Sequence, residues 1–540
     1  MNQNQQMKTI FFLTTLSGLL ACNRHTQTIA PGNISVPHER VAKLKTKAAF
    51  TDSVMLQWAD KKLVDAKLSS KGSSPRIILA KLLLKRDLDE TNKKIRQMYV
   101  RGVAGSSWAL NKKGDYDFTL TPLTSILFLF GDQPDILYPE TKDHLLNTLL
   151  TTGGNRFRST VPHTLGLVKE TENHLLMTEG SRYLKNQWMM THGNIEPYYN
   201  NVQNGMEDKI MGLLGEIKES GLYEFNSLPY IAYTISALLN LEGFGSEKVR
   251  TEARNVLDYI NWTYAIGSYQ LKHYPPMRRR YDKQYIQQIS TGYQSVFMKS
   301  WLAFTDVAGY NKDIRHAEVH ALTGAAMPYR PADKVAELIF NKGAGYFVKM
   351  GHGKKACPEI YGAGKHFLLS AGGANRGKKS MVVARPVCLF LNDNAEDLSS
   401  VFHIAGPGSD YMGWNNTGVY KNFACAAGPV HVPPSFTPVA KNETWSVYAN
   451  ADNVLIAVHS ENEFGLIAVF ENTGAATLLS QLMQFNPDKD LLKTAFQFPG
   501  GNKLTYDVKA PKNKWVIISD NEQMLNRNFD QWPLIDGDFK

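Results

Sequence analysis

The feature that most constrains this chain is a change in hydrophobic period near residue 342. Upstream, apolar residues recur at three- and four-residue spacings, as in His174 to Met190, where Leu175, Leu176, Tyr183, Leu184 and Trp188 share one side of a helix. Similar runs extend over Leu123 to Leu129, Lys142 to Leu150, Ile210 to Ile217, Leu228 to Leu241, Val249 to Ala265, Tyr293 to Val307 and Ala332 to Phe340, and a further start is marked by Thr51-Asp52-Ser53. This half contains no convincing strand. Downstream, short β-type runs take over: Tyr346 to Met350, His366 to Ser370, Ser380 to Ala384, Trp445 to Ala449, Val454 to Val458, Gly465 to Phe470, Leu504 to Tyr506 and Trp515 to Ile518. Gly, Asn, Asp and Pro punctuate them. Helices first and sheets second predict two segregated domains. Residues 46–341 are expected to form antiparallel helical hairpins, as in an α/α toroid or a helical solenoid, and residues 342–540 an antiparallel β-sandwich. No fixed repeat period is visible, which argues against a consensus-repeat array.

Composition agrees with two globular bodies. The chain is 43% hydrophobic and 20% charged, and the roughly 500 residues beyond its N-terminal segment exceed what one core organises. Nine Trp and 24 Tyr fill cores for the most part, and leave some rings for stacking on sugars. A net charge of +10 suits an anionic partner.

The N-terminus directs that partner away from nucleic acid. Met7 to Cys22 carries one Lys and then an apolar stretch too short to span a bilayer, closing on small residues. That is the anatomy of a cleaved export signal. Leu19-Leu20-Ala21-Cys22 resembles the lipobox of bacterial lipoproteins. The resemblance implies removal of residues 1–22, acylation of Cys22, and a polar tether over 23–45 that holds the protein at a membrane of the cell envelope. Of the three other cysteines, Cys357, Cys388 and Cys425, at most two can pair, so no disulfide scaffold is expected.

Four segments are candidates for chemistry. Glu170-Thr171-Glu172-Asn173-His174 enters a helix. Thr171 as N-cap and Glu172 in the first turn are ordinary helix-start residues. Asn173 and His174 are not, and they would direct hydrogen-bonding groups outward from a rigid element. Gly221 to Tyr233 opens a second helix, with Asn226 or Ser227 as cap and Tyr230 and Tyr233 on one face. His352 lies in a glycine-flanked turn between the domains, with His366 and His403 as rival β-domain histidines. Arg278-Arg279-Arg280 offers fork-shaped donors for carboxylate or sulfate.

An Asn-His pair opening one helix, the Gly221-x-x-Glu224-x-x-Ser227-x-x-Tyr230 segment opening a later one, and a His-Gly loop in a following β domain together resemble the heparinase and alginate-lyase type of polysaccharide lyase. The motifs are spread over about residues 120 to 430. In that family an α/α toroid precedes β-sandwich material. The resemblance implies that Asn173 and His174 hold a substrate carboxylate, that Tyr230 is general base or acid, and that His352 assists from the β domain. Glu224, Tyr233 and Arg280 are then expected to contact substrate. The family's loop is usually of His-Gly-His type, whereas here it reads Gly351-His352-Gly353. A tyrosine titrates near pH 10, so a tyrosine base needs a nearby cation such as Arg280 or His352. The chemistry calls for no metal or other cofactor. Two further readings fit the same residues. A glycoside hydrolase on a toroid would draw two carboxylates from Glu172, Glu224 and Glu359. A noncatalytic glycan-binding envelope lipoprotein would keep the fold without turnover.

Overall fold

The computed structural model describes residues 55–63, 74–98, 103–107, 112, 114–151, 157–159, 167–227, 230–273, 293–302, 319–343, 345–350, 359–372, 387–391, 398–404, 417–511, 514–528 and 534–537. Cys22, Arg280 and His352 lie outside them.

Helices come first. After a helical turn at 55–59, the chain forms α1 (Ser74–Leu83), α2 (Leu88–Gln97), α3 (Asp117–Phe130), α4 (Pro139–Asn147), α5 (Glu172–Thr191) and α6 (Met206–Ser220). It continues with α7 (Ile231–Phe244), α8 (Glu247–Gly267), α9 (Tyr293–Leu302), α10 (Val319–Ala326) and α11 (Asp333–Phe340). Their burial sorts them into two layers. Every residue of α7 is buried, and so is nearly all of α3. A helix apolar all round must be enclosed. By contrast, α6 buries Ile210, Leu214 and Ile217 and exposes its charged side, so it is an outer helix. The inner helices contact one another in the order α1, α3, α5, α7, α10, and α10 packs back on α1, which closes the ring. Outer helices lie behind, with α2 on α4 and α6 on α8. Polar ties cross the inner layer: Ser125 Oγ donates to Asn240 Oδ1 at 2.7 Å, and Asn240 Nδ2 donates to the Thr121 carbonyl at 2.8 Å.

The helical half is not free of strands. Two short antiparallel ladders interrupt it, β1 (Phe157–Ser159) with β2 (Leu167–Lys169), and β3 (Ser268–Tyr269) with β4 (Lys272–His273). Two or three residues are too few to leave a period, so pairing alone makes these strands.

The last helix of this half ends at Phe340, and the sheets begin at Tyr346. Strands β5 (Tyr346–Met350), β6 (Glu359–Gly364), β7 (Phe367–Ala371), β8 (Val387–Leu391) and β9 (Phe402–Ile404) form an antiparallel sheet. Its outer edge beside β5 is supplied by the late strand β20 (Leu534–Gly537). A second sheet, in spatial order, comprises β10 (Thr417–Tyr420), β11 (Phe423–Ala426), β15 (Phe464–Phe470), β14 (Leu455–Glu461), β13 (Ser446–Ala449) and β12 (Ala440–Lys441). A smaller third sheet runs β16 (Ala495–Gln497), β17 (Lys503–Tyr506), β18 (Ile517–Asp520) and β19 (Gln523–Met524). Between β15 and β16 the chain inserts a helix, α12 (Ala475–Phe485).

One apolar core joins the sheets, with Phe347, Ile360 and Leu389 from the first, Phe423, Ile456 and Ile467 from the second, and Phe496, Leu504 and Ile517 from the third. The protein is therefore a helical ring followed by an antiparallel β-sandwich. Gly362 of β6 is required by the stacking, because a Cβ there would collide with the Lys421 carbonyl in the β10–β11 turn. Cys388 and Cys425 are buried free thiols, and burial raises both well above the usual thiol range. Among the described residues no helix is long and apolar enough to cross a membrane.

Candidate functional site

The ring brings the first turns of its inner helices to one end. Arg76 is in the first turn of α1, and Asp117 and Phe118 open α3. Asn173 and His174 are in the first turn of α5. Tyr230 is the residue before α7 and Tyr233 lies in that helix's first turn, while His320 is near the start of α10. Helix N-termini carry unpaired amides and the positive end of the macrodipole, so their convergence favours negative charge.

Phe118 organises the rings. Its centroid is 5.3 Å from His174 and 4.4 Å from Tyr233, both edge-on, and 6.5 Å from Tyr230. Tyr233 continues the row to His320 at 5.1 Å, and the Arg76 guanidinium lies 5.4 Å from the Tyr233 centroid. The structure thus gathers Asn173, His174, Tyr230 and Tyr233, which the sequence places in two segments more than fifty residues apart.

His174 is held by a residue that sequence reasoning missed. Its Nδ1 is 2.6 Å from Asp117 Oδ2, and both side chains are buried. The other oxygen, Asp117 Oδ1, accepts the Gly105 amide at 3.0 Å, which fixes the carboxylate. Burial opposes a charge on the imidazole, but Asp117 outweighs it and raises the His174 pKa above its ordinary value, with Glu170 and Asp115 adding to the effect. With Nδ1 engaged, Nε2 is the nitrogen left for other work. The visible signal for Asp117 was an acid in the first turn of an apolar run, which reads as a simple helix start. His320 is the converse case. Burial, then the charge of Arg76, pushes it well below the usual histidine range, so it is neutral.

Asn173 is 1% exposed. Its Oδ1 accepts from Thr171 Oγ1, while its Nδ2 is buried with no hydrogen-bond partner among the described residues. The expectation that Asn173 and His174 point out of the helix mouth is therefore corrected: both are enclosed, because the first turn of α5 faces the ring interior. Thr171 occupies the N-cap position without capping the helix by its side chain, since its hydroxyl is spent on Asn173.

The segment before α7 also departs from expectation. Among the described residues the Ser227 hydroxyl does not cap that helix, being buried without a partner. The Tyr230 and Ile231 amides donate to the Ser227 carbonyl at 3.2 and 3.0 Å, and the Asn226 amide turns away to Glu359 of the β domain. Glu224 is buried, and its backbone amide donates to Glu172 Oε1 at 2.7 Å. Glu170 accepts from the Ser106 amide at 3.0 Å, the Ser106 hydroxyl at 2.7 Å and the Thr171 amide at 3.1 Å.

Of the β-domain histidines, His366 is half-buried in the β6–β7 turn. His403 lies on β9 at the sheet's far edge, 4.5 Å from the His431 ring, with its Nδ1 3.1 Å from the Val401 carbonyl. Among the described residues no group of three or more His, Cys, Asp or Glu is placed to hold a metal.

No family model matches the sequence, and no curated protein does. Among solved structures the chain is similar to a heparinase III with methylated lysines, at 11% identity and a TM-score of 0.30, over 82% of this chain and 83% of that one. A likeness so distant carries no argument about the site.

Proposed function

We propose that the protein is a polysaccharide lyase that cleaves a uronate-containing polysaccharide by β-elimination. The observation that carries this reading is the buried, unpartnered Asn173 Nδ2, placed beside a histidine whose ring is fixed by a carboxylate, against the same phenylalanine that Tyr230 packs on. A buried amide donor without an acceptor is costly, by about 1–3 kcal/mol, unless a ligand supplies one. A sugar carboxylate is such an acceptor, and the converging helix N-termini favour its charge.

In this reading Asn173 Nδ2 and His174 Nε2 hydrogen-bond the uronate carboxylate. They stabilise the extra charge that develops on it as the C5 proton leaves. Tyr230 as phenolate takes that proton. The C5–H electrons form the C4–C5 double bond, the C4–O bond breaks, and the departing oxygen takes a proton from Tyr230 or from His352. Glu224, Tyr233 and Arg280 are proposed substrate contacts, and Arg76 stands over Tyr233 as a further cation. The lipobox-like Leu19-Leu20-Ala21-Cys22 supports a lipid-anchored place in the cell envelope.

The test follows ultraviolet absorbance while protein lacking residues 1–22 is incubated with alginate, heparan, chondroitin and pectate. A rise from the conjugated C4–C5 double bond is expected, and it should vanish in Tyr230→Phe and His174→Ala. New reducing ends without absorbance would replace elimination by hydrolysis. Binding without either product would replace it by a glycan-binding role.

A further inference from the structure

Two carboxylates, one from each domain, hold the loop that delivers Tyr230. At its start, Glu172 of α5 accepts the Glu224 amide at 2.7 Å, so the loop is tied to the helix that carries Asn173 and His174. The chain then turns tightly, with the Ser227 amide donating to the Glu224 carbonyl at 3.2 Å and Asn226 in the left-handed region at φ 49°. Asn is one of the few residues other than Gly that adopts this conformation readily. The turn sends the Asn226 side chain out of the ring, and its Nδ2 donates to Glu359 Oε1 across 133 residues of sequence.

Glu359 is the first residue of β6 and is 2% exposed. Burying a carboxylate is expensive unless hydrogen bonds compensate. Here the same Oε1 also accepts the Tyr361 hydroxyl at 2.6 Å. Burial, then the charge of Glu359, holds that hydroxyl well above its ordinary range, so it stays a donor. Tyr361 is itself pinned against the end of α8, where a Cβ on Gly267 would come within 2.5 Å of its hydroxyl oxygen. Alongside, the Tyr346 hydroxyl donates to the Ile266 carbonyl at 2.6 Å and Lys342 Nζ to the Ala265 carbonyl at 2.7 Å. The carboxylate is thus mounted on a rigid contact between the domains.

We infer that Glu359 is a positioning residue: it fixes the turn over 221–227, and through the Ser227 carbonyl that accepts the Tyr230 and Ile231 amides it fixes Tyr230, relative to Asn173 and His174. Its effect on catalysis rests on the lyase reading; its effect on the loop does not. Removing Glu359 leaves the carboxylate-binding pair on α5 in place and releases the loop that brings the tyrosine. The loss therefore falls on turnover and spares substrate binding.

Amide hydrogen exchange over residues 221–231 is compared in the mature wild type, Glu359→Ala and Glu359→Gln. Glu359→Ala is expected to raise exchange there by about tenfold while the sandwich core stays protected. Glu359→Gln keeps an acceptor oxygen and is expected to restore most of the protection. On a substrate that the wild type cleaves, Glu359→Ala is expected to lower kcat by about tenfold with KM within about twofold, with partial recovery in Glu359→Gln. Unchanged exchange in a folded Glu359→Ala protein overturns the inference, and so does a kcat within about twofold of wild type. Should Glu359→Ala not fold, Asn226→Asp keeps a residue that tolerates the left-handed backbone, replaces the donor to Glu359 by an acceptor, and is read in the same way. If the wild type cleaves nothing, the lyase reading falls, and the exchange measurement still decides whether Glu359 holds the loop.

Discussion

The mouth of the helical ring and the interior of the sandwich bury side chains of very different kinds. At the mouth, Arg76, Asp117, Asn173, His174, Glu224 and His320 are all enclosed within a few helix turns of one another. Inside the sandwich the shared core is almost wholly apolar with one free thiol, Cys425, and a buried polar side chain such as Asn450 serves a turn: its Oδ1 accepts the Asp452 and Val454 amides at 3.0 and 2.9 Å. Burying polar groups costs stability unless each finds a partner. The sandwich meets that cost at scattered single atoms, such as Trp445 Nε1, Asn450 Nδ2 and Trp515 Nε1, each without a partner among the described residues, whereas the ring mouth gathers whole polar and charged side chains in one place. Such concentration marks the place where a chain trades stability for chemistry.

Substitutions should therefore separate the two regions. The largest expected effect is at the mouth. Tyr230→Phe should lower kcat by at least about a hundredfold to ten-thousandfold, the usual worth of a positioned acid or base, with the denaturation midpoint nearly unchanged. The absorbance assay and a urea titration on the same sample check it. In the sandwich the order reverses. Trp515 is 1% exposed and stacks 5.6 Å from Phe347, joining the segment before β18 to the first sheet. Trp515→Ala should cost about 3–5 kcal/mol in chemical unfolding while turnover per folded molecule stays close to wild type.

Between the regions, Gly267→Ala forces a methyl against the Tyr361 hydroxyl. It should cost about 1–3 kcal/mol, and a loss of kcat alongside would show that the domain contact reaches the site. The smallest effect is a displacement of pH dependence. Asp117 raises the His174 pKa, so His174 contributes stability that is fully present below its unfolded pKa, near 6.5, and is lost as pH rises through the folded value. Asp117→Asn should therefore lower stability more at pH 5 than at pH 9. It should also move any alkaline limb of activity set by His174 to lower pH, as a kcat profile would record.

Much of the architecture was legible because it rests on local periods. The run from His174 to Met190 became α5, and Val454 to Val458 and Gly465 to Phe470 became the paired strands β14 and β15. α1, α2 and α10 went unread: α2 buries Thr91, Asn92 and Ile95, a mostly polar stripe that a count of apolar residues passes over, and α1 and α10 are short with little amphipathic contrast between their faces. β1 to β4 escaped because ladders of two or three residues have no period to read. At the site, the unusual Asn173-His174 helix start and the Tyr230 helix start stood out as local anomalies.

The sequence by itself determined that helices precede sheets, and that two helix beginnings carry side chains a plain helix does not need. Both are properties of neighbouring residues, written as spacing and composition. Tertiary structure decided that those beginnings meet at one end of a ring, that Asp117 faces His174 from 57 residues away, that Arg76 stands over Tyr233, and that Glu359 reaches Asn226 from the other domain. The physical reason is that pairing between distant segments depends on how whole helices and sheets pack, and no short stretch of residues carries that information.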